Sequence, residues 1–308
     1  MLDALTLDQM RMFIAVAETG SFRAAAARLM RVQSAVSHAI AGLEAQLGVL
    51  LFDRSGHRPV LTPEGRLLLS DVRGIVLKVD KMRARARGLG EGVELGFTVA
   101  LDPQFPLELA SQALKDVHDT YPSVMIRVQT ASLGEAVLAL RERRAALAIS
   151  SIELPDPAIE RQALLYVRRV AVVAAGHPMA MLASNQEQIT TEQLADHIQI
   201  VGEDPSSLTE GRDFAVLSPG TWRVSDNATK HALIRMGIGW GNLPLWMVNE
   251  DLANGRLVRL SIAEFGAEGE TKGRAYLMHR TDSPFGPAVR TFVDALLRRT
   301  HGDPAQQT

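Results

Sequence analysis

Apolar residues recur every three or four positions through the first part of the chain, a pattern that predicts amphipathic helices around a small core. Thr6 and Gln9 form a capping box that opens the first helix, and Met10 and Phe13 lie on its inward face. Ser21 then supplies an N-cap for a second helix that is rich in alanine. The chain is therefore predicted to begin as a bundle of short helices.

A third helix follows a short turn, beginning near Gln33 or Ser34 and ending at Gly48. One face carries apolar side chains at helical spacing, and the opposite face carries short hydrogen-bonding groups on an alanine-rich surface. Such a face suits the floor of a DNA major groove, although a solvated helix face is the plain alternative. The polar residues on this face are Gln33, Ser34, Ser37 and His38.

A short basic hairpin comes directly after these helices. Strand-like runs at residues 51–54 and 59–61 flank a turn at 55–58 that holds glycine and basic side chains. A basic wing beside a helix-turn-helix provides a second anchor on the phosphate backbone, which favours DNA binding over the plain alternative. The expected base-edge contacts are Ser34, Ser37 and His38, and the expected phosphate contacts are Arg31, Arg54 and Arg58.

A resemblance to LysR-type transcriptional regulators lies in the run SFRAAAARLMRVQSAVSHAIAGLEAQLGVLLFDR, followed by LTPEG. The order and spacing of these residues fit the family signature throughout, which is much more specific than a lone helix-turn-helix pattern. The resemblance implies that Gln33 and Thr62 join the DNA-contacting residues. The chain departs from a common family pattern at Ala41, where a basic residue is frequent, so one backbone or base contact is expected to be missing.

A long helix is predicted next, with Thr62 as its cap and Pro63 in its first turn. A helix of about 25 residues is roughly 37 Å long. Its apolar stripe has no neighbouring helix in the sequence, so an antiparallel dimer with a second copy is favoured over packing on its own domain. The residues of the stripe are Leu68, Val72, Ile75 or Val76, Val79 and Met82.

Beyond a glycine-rich hinge at residues 88–92, strands alternate with helices and predict an α/β region. A first βαβαβ unit implies a parallel sheet with helices on its faces, and a second unit follows it. The chain returns to the first unit at its end, which gives two lobes and a cleft. The predicted strands are 93–100, 124–130, 145–150, 166–174, 197–201, 221–224, 237–241 and 273–279, and the predicted helices are 107–120, 133–143, 226–236 and 287–299.

The predicted fold class is multidomain, α+β and α/β. The resemblance implies that the C-terminal region is an effector domain similar to periplasmic binding proteins, with MGIGWGNLPLWMV like the glycine-rich segment of the family. It also implies that effector domains join two dimers into a homotetramer. The predicted domains are 1–62 (winged helix-turn-helix), 63–90 (linker or dimerisation helix and hinge) and 91–308 (effector-binding), with lobes of about 91–165 plus 268–300, and 166–267.

Polar residues at the carboxyl ends of predicted strands mark a place for a small-molecule effector, because ligands of open parallel sheets collect there. Helix starts at these strand ends favour an anion such as a carboxylate, whereas Asp102 and Asp226 argue against a strongly anionic ligand. Helix capping is the plain alternative for each residue, as for Ser132, which is predicted to form a capping box with Glu135. The expected effector-binding residues are Asp102, Thr130, Ser132, Ser151, Gly202, Glu203 and Asn227.

Composition narrows the function classes. The chain of 308 residues has no cysteine, which excludes disulfides, thiolate metal sites and cysteine nucleophiles and fits a reducing compartment. Residues 1–90 carry a net charge of +5 and residues 91–308 a net charge of −7, but most of the basic excess lies at 66–87 and does not by itself prove a DNA surface. We expect a cytoplasmic protein without a signal peptide or membrane span.

Two other function classes compete with a DNA-binding, effector-controlled regulator. An enzyme on the same two-lobed fold would need a serine, threonine or lysine nucleophile, but no GxSxG, phosphate-loop, GxGxxG or HExxH pattern is present. We therefore expect no catalytic residue, metal or cofactor. A molybdate-responsive regulator that shares only the winged helix would need a small oligonucleotide-fold module, and the βαβ alternation argues against one. A gel shift on the protein's own promoter separates a regulator from an enzyme.

Overall fold

The computed structural model describes residues 5–56, 58–90, 92–184, 188–265 and 269–301 of the chain. Its contacts divide the chain into two units, residues 1–91 and 92–308. Each unit has a hydrophobic core of its own. His57 of the predicted wing and Glu91 of the predicted hinge lie outside the described residues.

The first unit begins with three helices and a short hairpin, as the apolar pattern predicts. Thr6 and Gln9 form the capping box of the first helix, and Ser21 accepts the N–H of Ala24 at the start of the second, at 3.4 Å. Gly48 ends the third helix. The elements are α1 (Leu7–Thr19), α2 (Phe22–Arg28), α3 (Gln33–Leu47), β1 (Phe52–Asp53), β2 (Val60–Leu61) and α4 (Pro63–Gly90).

The core of the first unit lies where α1, α2 and α3 meet the wing and the beginning of α4. Phe13 is fully buried and packs edge-on against Phe52, with the ring centroids 5.5 Å apart. From α4, Leu69 and Val72 are buried in the same core. Leu68, Val72 and Val76 were predicted for the dimer stripe, but Val72 is buried in this core and Leu68 and Val76 pack against it, because α4 packs directly against α1.

The helix α4 is longer than predicted, at 28 residues. It continues through Gly88 and Gly90, so the chain does not break at the beginning of the predicted hinge. A glycine inside a helix costs only about 1 kcal/mol relative to alanine, which is too little to end a helix by itself. Neither α4 nor any other helix in the described part of the chain has the length and apolarity needed to cross a membrane. Large exposed apolar side chains along α4 are Leu67, Ile75, Leu77 and Met82.

The second unit alternates strands and helices largely as predicted. The helix at 107–120 and the strand at 221–224 have the predicted bounds, whereas α7, α8, α10 and β10 are additions. The elements are β3 (Gly96–Leu101), α5 (Leu107–Thr120), β4 (Met125–Thr130), α6 (Glu135–Arg141), β5 (Leu147–Ser150), β6 (Ile159–Ala174), α7 (Pro178–Ser184), α8 (Thr191–Ala195), β7 (Gln199–Gly202), β8 (Thr221–Val224), α9 (Asn227–Arg235), β9 (Gly241–Pro244), α10 (Leu245–Ala253), β10 (Leu257–Leu260), β11 (Glu270–Arg280) and α11 (Pro287–His301).

A mixed seven-stranded sheet runs through the second unit in the order β10-β6-β11-β5-β3-β4, with β9 also paired to β6. The β4-β3-β5 part is parallel, as predicted. However, β11 pairs antiparallel with both β5 and β6, because the chain returns to the first lobe in the opposite direction. The prediction of a parallel sheet therefore holds only for those three strands and for the separate pair β7-β8.

Two lobes with separate cores are joined by the long strands β6 and β11. The first lobe packs β3, β5, α5 and α11 around aromatic side chains that include Phe105 and Phe292. The second lobe packs β7, β9, β10 and the adjacent helices around Trp240 and Val172. Strand ends and helix starts of both lobes therefore meet at the gap between them.

The strand predicted at 237–241 begins later, as β9. The N–H groups of Gly237 and Ile238 still bond to carbonyl groups in the last turns of α9, at 2.9 and 3.3 Å, so they are not available for sheet pairing. Trp240 makes an isolated parallel bridge beside β7, and β9 itself begins at Gly241. The glycine-rich segment thus turns the chain from α9 into the sheet.

Candidate functional site

The exposed face of α3 carries the polar residues that were predicted to read DNA. Gln33, Ser34 and His38 are exposed and Ser37 is half-buried, while the opposite face of the helix lies in the core. Arg31, in the turn before α3, is exposed and makes no ion pair with the described residues. Within the first unit, this face is open to a nucleic acid.

Arg54, beside β1, is held by a carboxylate that no sequence pattern marks. Glu44 on α3 is buried and accepts the N–H groups of Leu51 and Phe52 at 2.9 and 3.2 Å. Its other oxygen accepts a hydrogen bond from the Arg54 guanidinium at 2.7 Å, and that guanidinium lies 5.0 Å from the centroid of the Phe22 ring. Arg54 therefore ties the wing to α2 and α3, a structural role beside its predicted phosphate contact.

Thr62 uses its polar groups to join the wing to α4. Its hydroxyl donates to the Leu50 carbonyl at 2.7 Å and accepts the N–H of Gly65 at 2.9 Å, so its only proton is engaged. A Cβ at Gly65 would overlap the carbonyl oxygen of Leu51, and only glycine fits this close approach. Arg58 of the wing is exposed and has no ion pair with any described residue.

A cavity of about 320 Å³ lies between the two lobes of the second unit, within the range of small-molecule sites. Six of the seven residues predicted to bind an effector line it, because β3, β5, β7 and α9 end or begin around the same gap. Thr130 does not line it and is exposed at the end of β4, which is the edge strand of the sheet. The six lining residues are Asp102, Ser132, Ser151, Gly202, Glu203 and Asn227.

Two basic residues that were not predicted also line the cavity. Lys230 on α9 is only 8% exposed, and burial together with the charge of Arg169 lowers the pKa of its ammonium to about 8. A Cβ at Gly241 of β9 would lie 2.7 Å from the Ile200 carbonyl oxygen and 3.0 Å from Lys230 Cε, so both the β7 backbone and the lysine stem crowd this position. Arg169 on β6 donates to the side-chain oxygen of Gln104, and burial lowers the pKa of its guanidinium.

Asp102 and Ser132 do not cap helices. Asp102 is buried and accepts the N–H groups of Gln104 and Ser151 at 2.9 and 3.1 Å, and its burial raises the pKa of the carboxyl. The predicted capping box of Ser132 with Glu135 is wrong, because α6 begins only at Glu135 and has no side-chain cap. Both predicted site residues therefore border the cavity without a capping role.

Two hydrogen bonds beside the cavity link the lobes. The side-chain amide of Asn227 donates to the Pro103 carbonyl at 3.1 Å, and the Trp246 indole N–H donates to the Gln104 carbonyl at 2.9 Å. Asp226 caps α9 as predicted, and the hydrogen bonds it accepts there lower the pKa of its carboxyl. A molecule in the cavity would thus lie next to contacts that cross between the lobes.

Two family descriptions match the chain. Residues 7–66 match the bacterial regulatory helix-turn-helix protein, lysR family, and residues 91–300 match the LysR substrate binding domain. The chain belongs to the LysR family of transcriptional regulators. The first match spans the three short helices and the wing of this LysR-type regulator, and the second spans both lobes and the cavity.

This LysR-type regulator is similar to other regulators over most of its length. It is 28% identical over 291 residues to the HTH-type transcriptional regulator AceR of Acinetobacter baumannii, covering 93% of this chain and 95% of AceR. It is 31% identical over 266 residues to YhaJ of Escherichia coli, a probable HTH-type transcriptional regulator, covering 82% and 85%. An H2O2-bound OxyR mutant from Corynebacterium glutamicum has the same fold, with a TM-score of 0.53 at 23% identity over 96% of this chain and 94% of OxyR. The family makes this chain a DNA-binding regulator of transcription and not an enzyme.

Proposed function

We propose that this LysR-type regulator binds operator DNA through α3 and the wing, and that a small-molecule effector in the cavity between the lobes alters that binding. The observation that carries the proposal is the cavity, where six residues from separate strand ends and one helix start surround a single space. The description of the matching family domain as substrate-binding supports the same use.

The proposed DNA contacts lie on the exposed face of α3 and along the wing. Short hydroxyl, amide and imidazole groups suit base edges, and the exposed arginines suit phosphates. Thr62 supports these contacts by joining the wing to α4 and not through its hydroxyl proton, which is engaged. The proposed base-edge contacts are Gln33, Ser34, Ser37 and His38, and the proposed phosphate contacts are Arg31, Arg54 and Arg58.

An effector controls DNA binding only if it prefers one arrangement of the lobes or subunits over another. The hydrogen bonds from Asn227 to Pro103 and from Trp246 to Gln104 cross between the lobes beside the cavity. A ligand that changes the spacing at these bonds changes the geometry of the second unit. We infer that the change alters how the dimers sit on DNA.

The proposed assembly is a homodimer through α4, extended to a homotetramer by the effector domains. Leu67, Ile75 and Met82 support the dimer, because they are exposed and lie seven or eight residues apart on one side of the helix. A twofold protein reads inverted half-sites about one helical turn apart, or multiples of it. The proposed tetramer rests on the family resemblance.

The cytoplasm is the proposed compartment, because the proposed target is DNA.

A gel-shift titration of the full chain on its own promoter region tests this function. The double variant Ser34→Ala, His38→Ala is expected to lose at least about tenfold in affinity for promoter DNA and little for random DNA, since each good base contact is worth ~1–3 kcal/mol. Gln46→Ala, exposed near the end of the same helix, is the matched control and should bind like the wild type.

Two results would count against the proposal. A similar loss on promoter and random DNA would show that α3 does not read the base sequence. If the wild-type chain binds neither promoter DNA nor random DNA, the proposed DNA-binding function is wrong.

A further inference from the structure

One buried positive charge at the cavity lacks a counter-ion among the described residues. Lys230 is 8% exposed, and its ammonium makes no hydrogen bond or ion pair with that part of the chain. Arg169 also lines the cavity, and its charge acts on Lys230. Two cations therefore line the same cavity, and the charge of Arg169 disfavours the charged form of Lys230.

The acidic residues of the cavity are engaged in other ways. Asp102 is bound by two backbone N–H groups, and it is the carboxylate whose charge acts on Arg169. Asp226 caps the first turn of α9, and Glu203 is exposed to solvent. None of the three makes an ion pair with Lys230 within the described residues, so this ammonium has no partner of its own although the cavity is lined by three carboxylates and two cations.

The charged form of this buried amine is unfavourable until a bound anion compensates its charge. Burial removes water from the charge, and a carboxylate bound beside it would restore a charge-assisted hydrogen bond. The Lys230 stem packs against a separate strand, where a Cβ at Gly241 would lie 3.0 Å from its Cε. A partner for this charge is therefore expected from outside the chain.

The cavity also presents an acceptor that lacks a donor. Asn242 Oδ1 is buried without a hydrogen bond from the described residues, and buried acceptors are normally satisfied. A bound molecule that carries a hydroxyl or amino group would supply the missing donor. Ile152, Val201 and Phe214 line the apolar part of the same space.

We propose that the cavity binds a small organic acid that also carries a hydroxyl or amino group. The carboxylate lies against Lys230 and Arg169, the donor group reaches Asn242, and the remainder of the molecule packs on the apolar side. This inference rests on the proposed function, because it takes the cavity to be the effector site. It stands against the expectation from the sequence that Asp102 and Asp226 disfavour a strongly anionic ligand, and the titration below decides between the two.

Isothermal titration calorimetry on the full chain tests the proposal near neutral pH and at constant ionic strength. The probes are lactate, mandelate, 2-hydroxybenzoate and phenylalanine, each compared with its primary amide. We expect at least one acid to bind and its amide to bind at least about tenfold more weakly. Lys230→Met should weaken that acid by at least about tenfold, and Lys230→Arg should retain most of the affinity.

The matched control is Lys115→Met on α5, which removes an exposed lysine paired only with Asp119 at 2.6 Å. It should bind the acid like the wild type. The proposal is wrong if no acid binds, if amides bind as tightly as acids, or if Lys230→Met binds as the wild type does. If circular dichroism shows that Lys230→Met is unfolded, the proposal is tested by the acid–amide comparison and by the affinity of Lys230→Arg.

A gel shift with the same preparations separates failure of the proposed organic-acid site from failure of the proposed DNA-binding function. If the chain binds its promoter normally but binds no acid, the organic-acid proposal is wrong and the proposed DNA-binding function stands. If the chain binds the acid but not its promoter, the proposed DNA-binding function is wrong and the organic-acid proposal stands. The control Lys115→Met is expected to retain promoter affinity, because Lys115 is an exposed residue of the second unit that does not line the cavity.

Discussion

The ammonium of Lys230 affects both stability and ligand binding, in opposite directions. Without a ligand, folding removes the charge from water and so destabilises the folded chain. With an anion bound, the same charge stabilises the complex. The charged groups that line the cavity with Lys230 are Arg169 from β6, Asp102 after β3, Glu203 after β7 and Asp226 at the start of α9.

The lowered pKa of Lys230 predicts a stability change with pH. Folding lowers this pKa from 10.5 to about 8, so between these values the unfolded chain holds more protons and the unfolding free energy rises with pH. The cost of the buried charge is fully present below pH 8 and amounts to about 3 kcal/mol. Urea unfolding should therefore show Lys230→Met as more stable than the wild type near neutral pH, with the gap closing towards pH 10.5. A gap that does not change with pH would contradict the burial of a charged amine.

Sequence reasoning found the polar strand ends of the cavity and its acidic residues, but not Arg169 or Lys230. Asp102, Ser151 and Asn227 follow or precede strands in a regular order, so topology alone predicts that they come together. Lys230 lies in the first turns of a helix, where a lysine ordinarily indicates a solvated face. In the fold it packs against Gly241, on a strand that the sequence pattern places several residues too early.

At the scale of elements, local signals predicted most helices and parallel strands. Capping residues and apolar periodicity fixed α1, α5 and α9 because those features lie within the element itself. The antiparallel pairing of β11 with β6 was not predicted, because it joins residues about a hundred positions apart and depends on the direction in which the chain returns. The helices α7, α8 and α10 are short, and the periodicity in such runs is weak.

The wing is an element in which two arginines are predicted to behave differently. Arg58→Ala removes an exposed cation, so DNA affinity should fall on all sequences and the salt slope should decrease by about 0.9, with the unfolding free energy unchanged. Arg54→Ala also leaves the buried Glu44 without its guanidinium, so the unfolding free energy should fall by about 1–2 kcal/mol. Fluorescence anisotropy over a range of salt and urea unfolding measure the two effects. Equal unfolding free energies for the two variants would show that the Glu44 contact does not stabilise the wing.

At the scale of the whole molecule, an effector response depends on how copies of the chain assemble. Each unit has its own core, and a ligand in the second unit touches residues of that unit alone. In the proposed twofold assembly, such a ligand would gain a means of control, since a change in the lobes of both subunits would alter the spacing of two DNA-binding units. The surface of α4 that remains exposed is therefore the place to test assembly.

The dimer is expected to form on the face of α4 that carries Leu67, Ile75 and Met82, because Val72 is committed to the core of its own unit. Ile75→Glu with Met82→Glu would bury unpaired charges at the interface, at a cost of about 3–5 kcal/mol or more. Light scattering should then show monomers, and affinity for a two-half-site operator should fall because two linked contacts become single ones.

Leu77→Glu is the matched control for this dimer face. Leu77 is 56% exposed and lies away from both substituted positions, roughly 200° around the helix from Ile75 and roughly 140° from Met82. This variant should remain dimeric and bind the operator normally. If Leu77→Glu dissociates the dimer while the double variant at Ile75 and Met82 does not, the subunits meet through another face of α4, and the half-site geometry has to be derived from that face.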